Sequence, residues 1–386
     1  MNYTEIVLPY RMKKAVLALG AQSKSAICFA KDNSAWVSDP RGDLSDLGDF
    51  KEFEKRIKLL QKKFKIRPDI IACDLHPEYA ATKYAYSLAK SMGHRARGIQ
   101  HHEAHVASCA ADNNIKGRAI GVAFDGTGFG RDGNVWGGEF FVGSIKGFKR
   151  AAHLKYTSMP GGEACIKEPW RMAFSYLYGM YKSDMKLFRR ILQFRLGQAV
   201  SRSDILGQMI DKRINAPLVS SMGRLFDGVS ALIGICGFAR YEGEAAIRLE
   251  EIMQGTPRLR SGQVGYPIAE GKYSFKYKNE NDVVLIDWEP VIGDIVKDLK
   301  NNVKQPEISL KFHNAICDMI KDICKFLRKK YKINKVCFSG GVFQNKYLSR
   351  NIKLVLEKEG FDIYAHKNIP THDGGIALGQ AVLAGV

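Results

Sequence analysis

Three short polar segments, far apart in the sequence, constrain the fold of this chain more than any other feature. Residues 100–105 place two histidines four positions apart, and residues 124–130 and 371–375 each place an aspartate beside glycines. Histidines at positions i and i+4 share one face of a helix, so both rings can reach one ion. The chain is therefore expected to bring a helix and two distant glycine turns to one place.

These segments supply a candidate metal site. His101 and His105 offer two imidazoles, and Asp125 and Asp373 offer two carboxylates. Four nitrogen and oxygen ligands of this kind suit zinc or ferrous iron. His102 projects about 100° away from His101 around the helix, so we expect it to contact substrate or to support a ligand. It is taken as a candidate catalytic residue.

Glycine turns that follow apolar strands predict a site for phosphate groups. Backbone amides can approach phosphate oxygens closely where the residue is glycine, and a helix that follows adds its N-terminus. The candidate residues in these turns are Gly126, Thr127, Gly128, Ser339, Gly340, Gly341 and Asn345. None of the turns has the Walker pattern G-x-x-x-x-G-K-[ST], which excludes the P-loop class. Asp227 and Glu242 are candidates for ribose hydroxyls or, equally, for helix caps.

Strand and helix patterns alternate along both ends of the chain, which is typical of an α/β architecture. Residues 15–20 and 25–30 are predicted to be paired strands with a turn near 31–33, and residues 50–64 form an amphipathic helix. A chain of 386 residues exceeds the size of one hydrophobic core, so two lobes are expected. We predict an N-terminal lobe over 1–152 and a C-terminal lobe over 153–386, with a helical insertion at about 163–260. A glycine turn in each lobe suggests internal duplication.

The bulk composition excludes some classes of protein. The sequence contains no run of eighteen apolar residues, so no membrane span is predicted, and the first residues lack the pattern of a secretory signal. The eight cysteines are scattered without a C-x-x-C pair, which favours buried thiols and a cytoplasmic location. The net charge of +19 would suit nucleic acid, but no basic stripe is interleaved with aromatic residues. Nucleic acid is therefore not the expected partner.

Several longer motifs resemble one particular family, the hydrogenase-maturation carbamoyltransferase HypF. The resemblance extends from about residue 15 to residue 384 and corresponds to the C-terminal half of that family. The motifs are I-Q-H-H-E-A-H at 99–105, V-A-F-D-G-T-G at 122–128, W-G-G-E-F at 136–140, P-G-G at 160–162, K-E-P-W-R-M-A at 167–173 and F-S-G-G-V-F-Q-N at 338–345.

The resemblance implies a two-lobed relative of the actin and sugar-kinase ATPase fold. It implies that His101, His105, Asp125 and Asp373 bind a zinc or iron ion and that the glycine turns bind ATP, AMP or carbamoyl-adenylate. Asp227 and Glu242 then fall where the family holds ribose. Lys24 and Arg171 join His102 as candidate catalytic residues. The implied reaction moves a carbamoyl group to the C-terminal cysteine of a HypE-like acceptor, a step toward the cyanide ligand of [NiFe] hydrogenase.

The sequence also departs from the family. Glu103 replaces a histidine of the usual box, and His372 replaces an asparagine before the last Asp-Gly-Gly. Full-length relatives have acylphosphatase-like, zinc-finger and YrdC-like regions that these residues do not match. We therefore expect a separate YrdC-like or acylphosphatase-like protein to make the adenylate. The alternative functions are a tRNA threonylcarbamoyl-type transferase and a nucleotide-binding scaffold subunit.

Overall fold

The computed structural model describes residues 2–184, 186–187, 203–255 and 272–386. The strands are β1 Tyr3–Val7, β2 Val16–Ala18, β3 Ser23–Ser25, β4 Cys28–Lys31, β5 Ser34–Ser38, β6 Arg41–Asp43, β7 Ile70–Asp74, β8 Arg95–Ile99, β9 Ala119–Phe129, β10 Val135–Ser144, β11 Gly147–Leu154, β12 Thr157–Ser158, β13 Leu218–Val219, β14 Lys276–Glu280, β15 Val283–Asp287, β16 Lys335–Ser339 and β17 Asp362–Tyr364. The helices are α1 Leu47–Phe64, α2 Ala80–Ser91, α3 His101–Asp112, α4 Ala164–Lys167, α5 Trp170–Tyr181, α6 Ser203–Asp211, α7 Met222–Leu232, α8 Glu244–Glu251, α9 Glu289–Lys300, α10 Gln305–Tyr331, α11 Lys346–Lys358 and α12 Ile376–Gly385. Short 3-10 turns cover Ile252–Gly255, Gly341–Gln344 and Asp373–Gly375.

Two sheets share one topology, which confirms the predicted duplication. In the first sheet β5, β4 and β2 are antiparallel neighbours, and β7 and β8 follow β2 in parallel. In the second, β11, β10 and β9 are antiparallel, and β16 and β17 follow β9 in parallel. Each set of five ends in a helix, α3 after β8 and α12 after β17. Additional strands extend the sheets, β1 beside β5 and the β14–β15 hairpin beside β11.

The two terminal helices pack against each other between the sheets. One apolar core contains residues of α3 and α12 together with residues of both sheets, whereas separate cores lie on the outer faces. The helices approach closely because Gly379 lies against the backbone carbonyl of Ala104. Gln380 ties α12 to the first sheet, since its side-chain amide exchanges two hydrogen bonds with the backbone of Gly20, at 2.9 and 3.0 Å. The C-terminal helix thus joins the two lobes.

The expected lobe boundary at residue 152 is wrong. Strands β9 to β11 belong to the second sheet, so the chain changes sheet between β8 and β9, on either side of α3. Strand and helix patterns do not reveal which sheet a strand joins, and β9 pairs with β16, more than 200 residues away. The predicted insertion is mostly helical where it is described, from α4 to α8 with the short strand β13 between them, and its remaining residues lie outside the described ranges.

The secondary structure otherwise follows the sequence patterns closely. The pairing of residues 15–20 with 25–30 is confirmed by β2 and β4, but the turn near 31–33 leads onward from β4 into β5. In the described part of the chain, no helix is both long and apolar enough to cross a membrane. All eight cysteines are buried and free, as expected.

Replacing Gly379 with alanine is predicted to destabilise the fold. The added methyl would overlap the carbonyl oxygen of Ala104 and push α12 away from α3, at a cost of about 1–3 kcal/mol in the free energy of unfolding. Gly293→Ala on α9 is the matched control, because its nearest neighbour would be Met180 at 3.5 Å, and helix propensity predicts a gain of up to about 1 kcal/mol. Urea denaturation measures both; equal stability of the two variants would contradict the close packing.

Candidate metal centre in the cleft

Four side chains from three elements meet between the lobes. His101 and His105 lie on the first turns of α3, Asp125 lies in β9, and Asp373 lies in the 3-10 turn before α12. One nitrogen or oxygen atom from each lies within 4.8 Å of all the others. The Nε2 atoms of both histidines lie 3.2–3.3 Å from Asp125 Oδ2 and 3.5–3.6 Å from Asp373 Oδ1. The structure therefore brings the four predicted metal ligands together.

A second layer of residues orients these ligands. His101 Nδ1 lies 2.7 Å from Asp74 Oδ2, where β7 ends, which directs Nε2 toward the quartet. His105 Nδ1 contacts the hydroxyl of Ser339 at 3.2 Å. Asp125 Oδ1 accepts a hydrogen bond from the Gly341 amide at 3.0 Å. Histidine ligands of metals are commonly fixed by a carboxylate in this way.

The electrostatics of the quartet favour bound positive charge. Burial opposes protonation of His101 and His105, but neighbouring carboxylates outweigh it and raise both pKa values. Burial likewise opposes ionisation of Asp125, yet the two histidines hold its pKa well below the usual value. Burial and the negative charge of Asp125 oppose ionisation of Asp373, and the two histidines nevertheless hold the pKa of Asp373 below its usual value. A divalent cation would satisfy the same carboxylates, and imidazole with carboxylate suits zinc or iron.

His102 is buried beside the quartet but does not join it. Its ring centre lies 5.1 Å from that of His101. Gln100 Oε1 caps α3 at the Glu103 amide, which fixes the amide group so that Nε2 donates to His102 Nδ1 at 3.2 Å. The proton of His102 therefore resides on Nε2, and no described residue accepts it. Burial and the neighbouring His101 hold its pKa well below the usual value.

Lys24 lies near the quartet, whereas Arg171 does not contact it. Lys24 Nζ is 3.3 Å from Glu242 Oε2. Burial opposes its protonation, but the carboxylates of Glu242, Asp373 and Asp125 raise its pKa. The Arg171 guanidinium donates to Glu168 at 2.7 Å and to the Pro160 carbonyl at 3.4 Å. Its contacts support the Pro-Gly-Gly turn.

The glycine segment after Asp125 differs from the predicted loop. β9 continues to Phe129, so Gly126, Thr127 and Gly128 lie inside a strand that pairs with β10. A side chain at Gly128 would overlap the rings of His101 and His102, so this glycine allows α3 to approach. Gly126 and Thr127 are half-exposed.

The polar groups of the second glycine turn, residues 339–341, contact candidate metal ligands and neighbouring backbone. Gly340 has φ +104°, donates its amide to the Thr371 carbonyl at 2.8 Å, and leaves no room for a side chain beside Phe124. The Gly341 amide donates a hydrogen bond to Asp125 Oδ1, and the Ser339 hydroxyl is hydrogen-bonded to His105 Nδ1. The polar groups of these three residues have internal partners in this structure, and their contact with phosphate stays a prediction.

Asn345 and Asp227 also have internal partners. Asn345 caps α11 at the Leu348 amide and donates to His313 Nε2 at 3.0 Å, so its expected place in a cofactor site is not supported. Asp227 is buried against Arg224 at 2.9 Å. Burial raises the pKa of Asp227 to about 6, although Arg224 opposes the shift.

The two departures in the sequence leave the quartet intact. Glu103 forms an ion pair with Arg131 at 2.8 Å. His372 accepts a hydrogen bond from the Gly374 amide at 3.1 Å and stabilises the turn that carries Asp373. Asp74 and Arg224 are site residues that sequence reasoning missed. Asp74 carries a usable signal, because it follows a buried strand as Asp125 does.

The fold and the quartet define a class of two-lobed α/β proteins with a candidate metal site at the lobe junction. A family model described as HypF Kae1-like domain matches residues 11–112, and one described as carbamoyltransferase, Kae1-like domain, second subdomain matches residues 121–380. The chain belongs to the HypF carbamoyltransferase family. The junction between the two matches coincides with the change of sheet.

Individual relatives agree with this assignment. Carbamoyltransferase HypF of Synechocystis is 33% identical over 97% of this chain and 48% of its own length. A HypF homolog of Cupriavidus necator is 29% identical over 96% of this chain and 91% of its own length. A crystal structure of full-length HypF in a phosphate- and nucleotide-bound form has a TM-score of 0.87 and 37% identity, covering 99% of this chain and 57% of that one. The chain thus spans about half the length of the first of these relatives.

Removing both histidines is predicted to remove one bound divalent ion. The wild-type chain should contain about one zinc or iron ion, and the His101→Ala/His105→Ala variant should contain none, because half of the ligand set is lost. Elemental analysis by mass spectrometry measures the content. His153→Ala, whose Nδ1 contacts the Leu154 carbonyl outside the quartet, is the control. Equal metal content in the double variant and the wild type would contradict the site.

Asp74→Asn is predicted to weaken metal binding without removing a ligand. The amide keeps the shape of the carboxylate but loses the charge that makes His101 a stronger donor, and such changes reduce affinity about 10- to 100-fold. Competition with a chromophoric chelator gives the dissociation constant. Asp294→Asn, in an exposed ion pair with Lys297, should leave it unchanged. An unchanged constant for Asp74→Asn would show that Asp74 does not tune His101.

Proposed function

We propose that this chain transfers a carbamoyl group from carbamoyl-adenylate to the C-terminal cysteine of a HypE-like protein during [NiFe] hydrogenase maturation. The observation that carries the proposal is the quartet of His101, His105, Asp125 and Asp373 beside the half-exposed Gly126, in a chain of the HypF family. Geometry supplies the site, and the family supplies the class of reaction.

The four ligands fit a divalent zinc or iron ion. Such an ion, when bound, would act as a Lewis acid on the carbamoyl carbonyl. Asp74 keeps His101 oriented toward it, and the Gly341 amide fixes the Asp125 carboxylate. The Nε2–H group of His102, which no described residue accepts, lies beside this centre and is suited to donate to a carbonyl or phosphoryl oxygen of the substrate.

An adenine nucleotide is proposed to lie over Gly126 and Thr127, with Glu242 toward its ribose. Both backbone positions are half-exposed, and Glu242 Oε1 would lie 3.9 Å from a Cβ atom on Gly126. Lys24, in its ion pair with Glu242, places a positive charge at the same cleft. Negative charge on a phosphate would be attracted to it.

The transfer is proposed to be direct. The acceptor sulfur, after losing its proton to solvent, attacks the carbamoyl carbon; a carbon–sulfur bond forms, the bond from that carbon to the phosphate oxygen breaks, and AMP leaves with the electron pair. A covalent intermediate on this chain is not needed. Its eight cysteines are all buried, and burial raises the pKa of Cys165 to about 12, so that thiol is a poor nucleophile.

The adenylate is proposed to come from a separate YrdC-like or acylphosphatase-like activity. The matched part of the Synechocystis relative covers 48% of its length, and the family relationship of the present residues is to the transfer half. Supply of the donor and transfer of the carbamoyl group can then be tested independently.

Given preformed carbamoyl-adenylate and its metal, the chain should carbamoylate a peptide that ends in the C-terminal cysteine of a HypE-type acceptor. Mass spectrometry detects one added carbamoyl group on the sulfur. The same peptide ending in serine is the substrate control, and the His101→Ala/His105→Ala variant is the enzyme control, expected to lose most activity because the carbonyl is no longer polarised. Modification of tRNA but not of the cysteine would favour the threonylcarbamoyl-type transferase instead.

A further inference from the structure

One buried arginine near the cleft has hydrogen-bond donors that the protein does not use. Arg224, on the first turn of α7, is 3% exposed. Its Nη2 pairs with Asp227 at 2.9 Å, but its Nε and Nη1 have no partner among the described residues. Arg150, also largely buried, uses all three nitrogens, on Glu139, Tyr156 and Ser220. Full pairing is thus attainable in this fold, and Arg224 departs from it.

Unpaired donors of a buried guanidinium are costly. Each buried donor without an acceptor loses its hydration and gains nothing, and the loss is larger for a charged group. Asp227 pairs with only one of the three guanidinium nitrogens and leaves the other two without an acceptor. An anionic ligand with several acceptor oxygens would satisfy the remaining donors.

The surroundings of Arg224 indicate where such a ligand would lie. A Cβ atom placed on Gly126 would be 3.7 Å from Arg224 Nη2, and apart from the two chain neighbours of Gly126 no described residue comes closer to it. The space above this half-exposed glycine is therefore open and bordered by the guanidinium. The second neighbour, Glu242 Oε1 at 3.9 Å, belongs to a carboxylate that is paired with Lys24. The local charge remains suited to an anion.

The backbone holds Arg224 firmly at this position. Ser221 caps α7 by accepting from the Arg224 amide, and its hydroxyl also contacts the carbonyls of Asp125 and Gly126, at 2.8 and 2.6 Å. The N-terminus of an eleven-residue helix therefore abuts the strand that carries a metal ligand. Its dipole adds to the attraction of negative charge.

We propose that Arg224 binds a phosphoryl oxygen of the nucleotide that lies over Gly126, and so recognises the AMP part of the donor. This inference rests on the proposed function and assigns the phosphate contact to a side chain that no sequence motif had indicated. The planar guanidinium offers paired donors that match two phosphoryl oxygens, which a lysine cannot do. Arg224 and the metal centre then bind opposite sides of the bond that breaks.

The test compares the binding of AMP with that of adenosine, which lacks the phosphate. Calorimetric titration of the metal-loaded chain should show tighter binding of AMP. In the Arg224→Gln/Asp227→Asn variant, which leaves no unpaired buried carboxylate, AMP should bind about 10- to 100-fold more weakly, while adenosine binding should match that of Asp227→Asn alone. Arg224→Lys, which keeps the charge but not the fork, should fall between. Arg248→Gln is the control, because Arg248 is exposed and lies 3.9 Å from Glu244, away from Gly126.

Each outcome decides the inference. Loss of the preference for AMP in the double variant, with Arg248→Gln unaffected, supports it. A preserved preference in the double variant overturns it and leaves the proposed transferase intact. Equal binding of AMP and adenosine by the wild type also overturns it, whereas failure of the cysteine carbamoylation assay is the result that overturns the proposed function. Thermal melts identify any unfolded variant, and the Arg224→Lys protein then gives the comparison.

Discussion

The contact between α3 and α12 is the constraint on which the rest of the structure depends. Each helix ends the same succession of strands in its own lobe, and the two meet where Gly379 lies against the Ala104 carbonyl. The first two turns of α3 carry both histidines, and Asp373 lies just before α12. The close approach of these helices therefore brings Asp373 near the two histidines. The geometry of the site therefore depends on how the two lobes pack.

The quartet concentrates ionisable side chains in one place, and the fold must provide partners for them. Four carboxylate or imidazole side chains lie at the centre, and Asp74 adds a further carboxylate behind His101 at 2.7 Å. Buried carboxylates are tolerated only with partners. Each one has them: Asp125 accepts from Gly341 and both carboxylates of the quartet face two imidazoles. The glycine turn between β16 and α11 consequently contacts two of the candidate metal ligands, Asp125 and His105.

The sequence predicted much of this arrangement, for reasons that are local. Apolar runs and helical spacing located α3, β9 and β16, and the residue types in three motifs identified all four members of the quartet. Other features depend on tertiary contacts, which the local sequence does not contain. The glycines after Asp125 remain in a strand because histidine rings occupy the space beside Gly128. The Ser339–Gly341 amides and hydroxyl are used by residues that are distant in sequence, and β14 and β15 are an edge hairpin with a weak pattern. Arg224 could be recognised only from its missing partners.

The charges around Gly126 are arranged in two halves, and this favours one chemical type of ligand. On one side lie the carboxylates of Asp125 and Asp373, and on the other lie Arg224 and Lys24, which are paired with Asp227 and Glu242. A ligand that offers a carbonyl oxygen to a metal and a phosphoryl group to a cation satisfies both halves, as a carbamoyl-adenylate would. Free AMP or a simple amide satisfies only one. The burial of all eight thiols agrees with the proposed transfer to an outside acceptor. Lys24 and Glu242 are both partly exposed and border the solvent side of this centre.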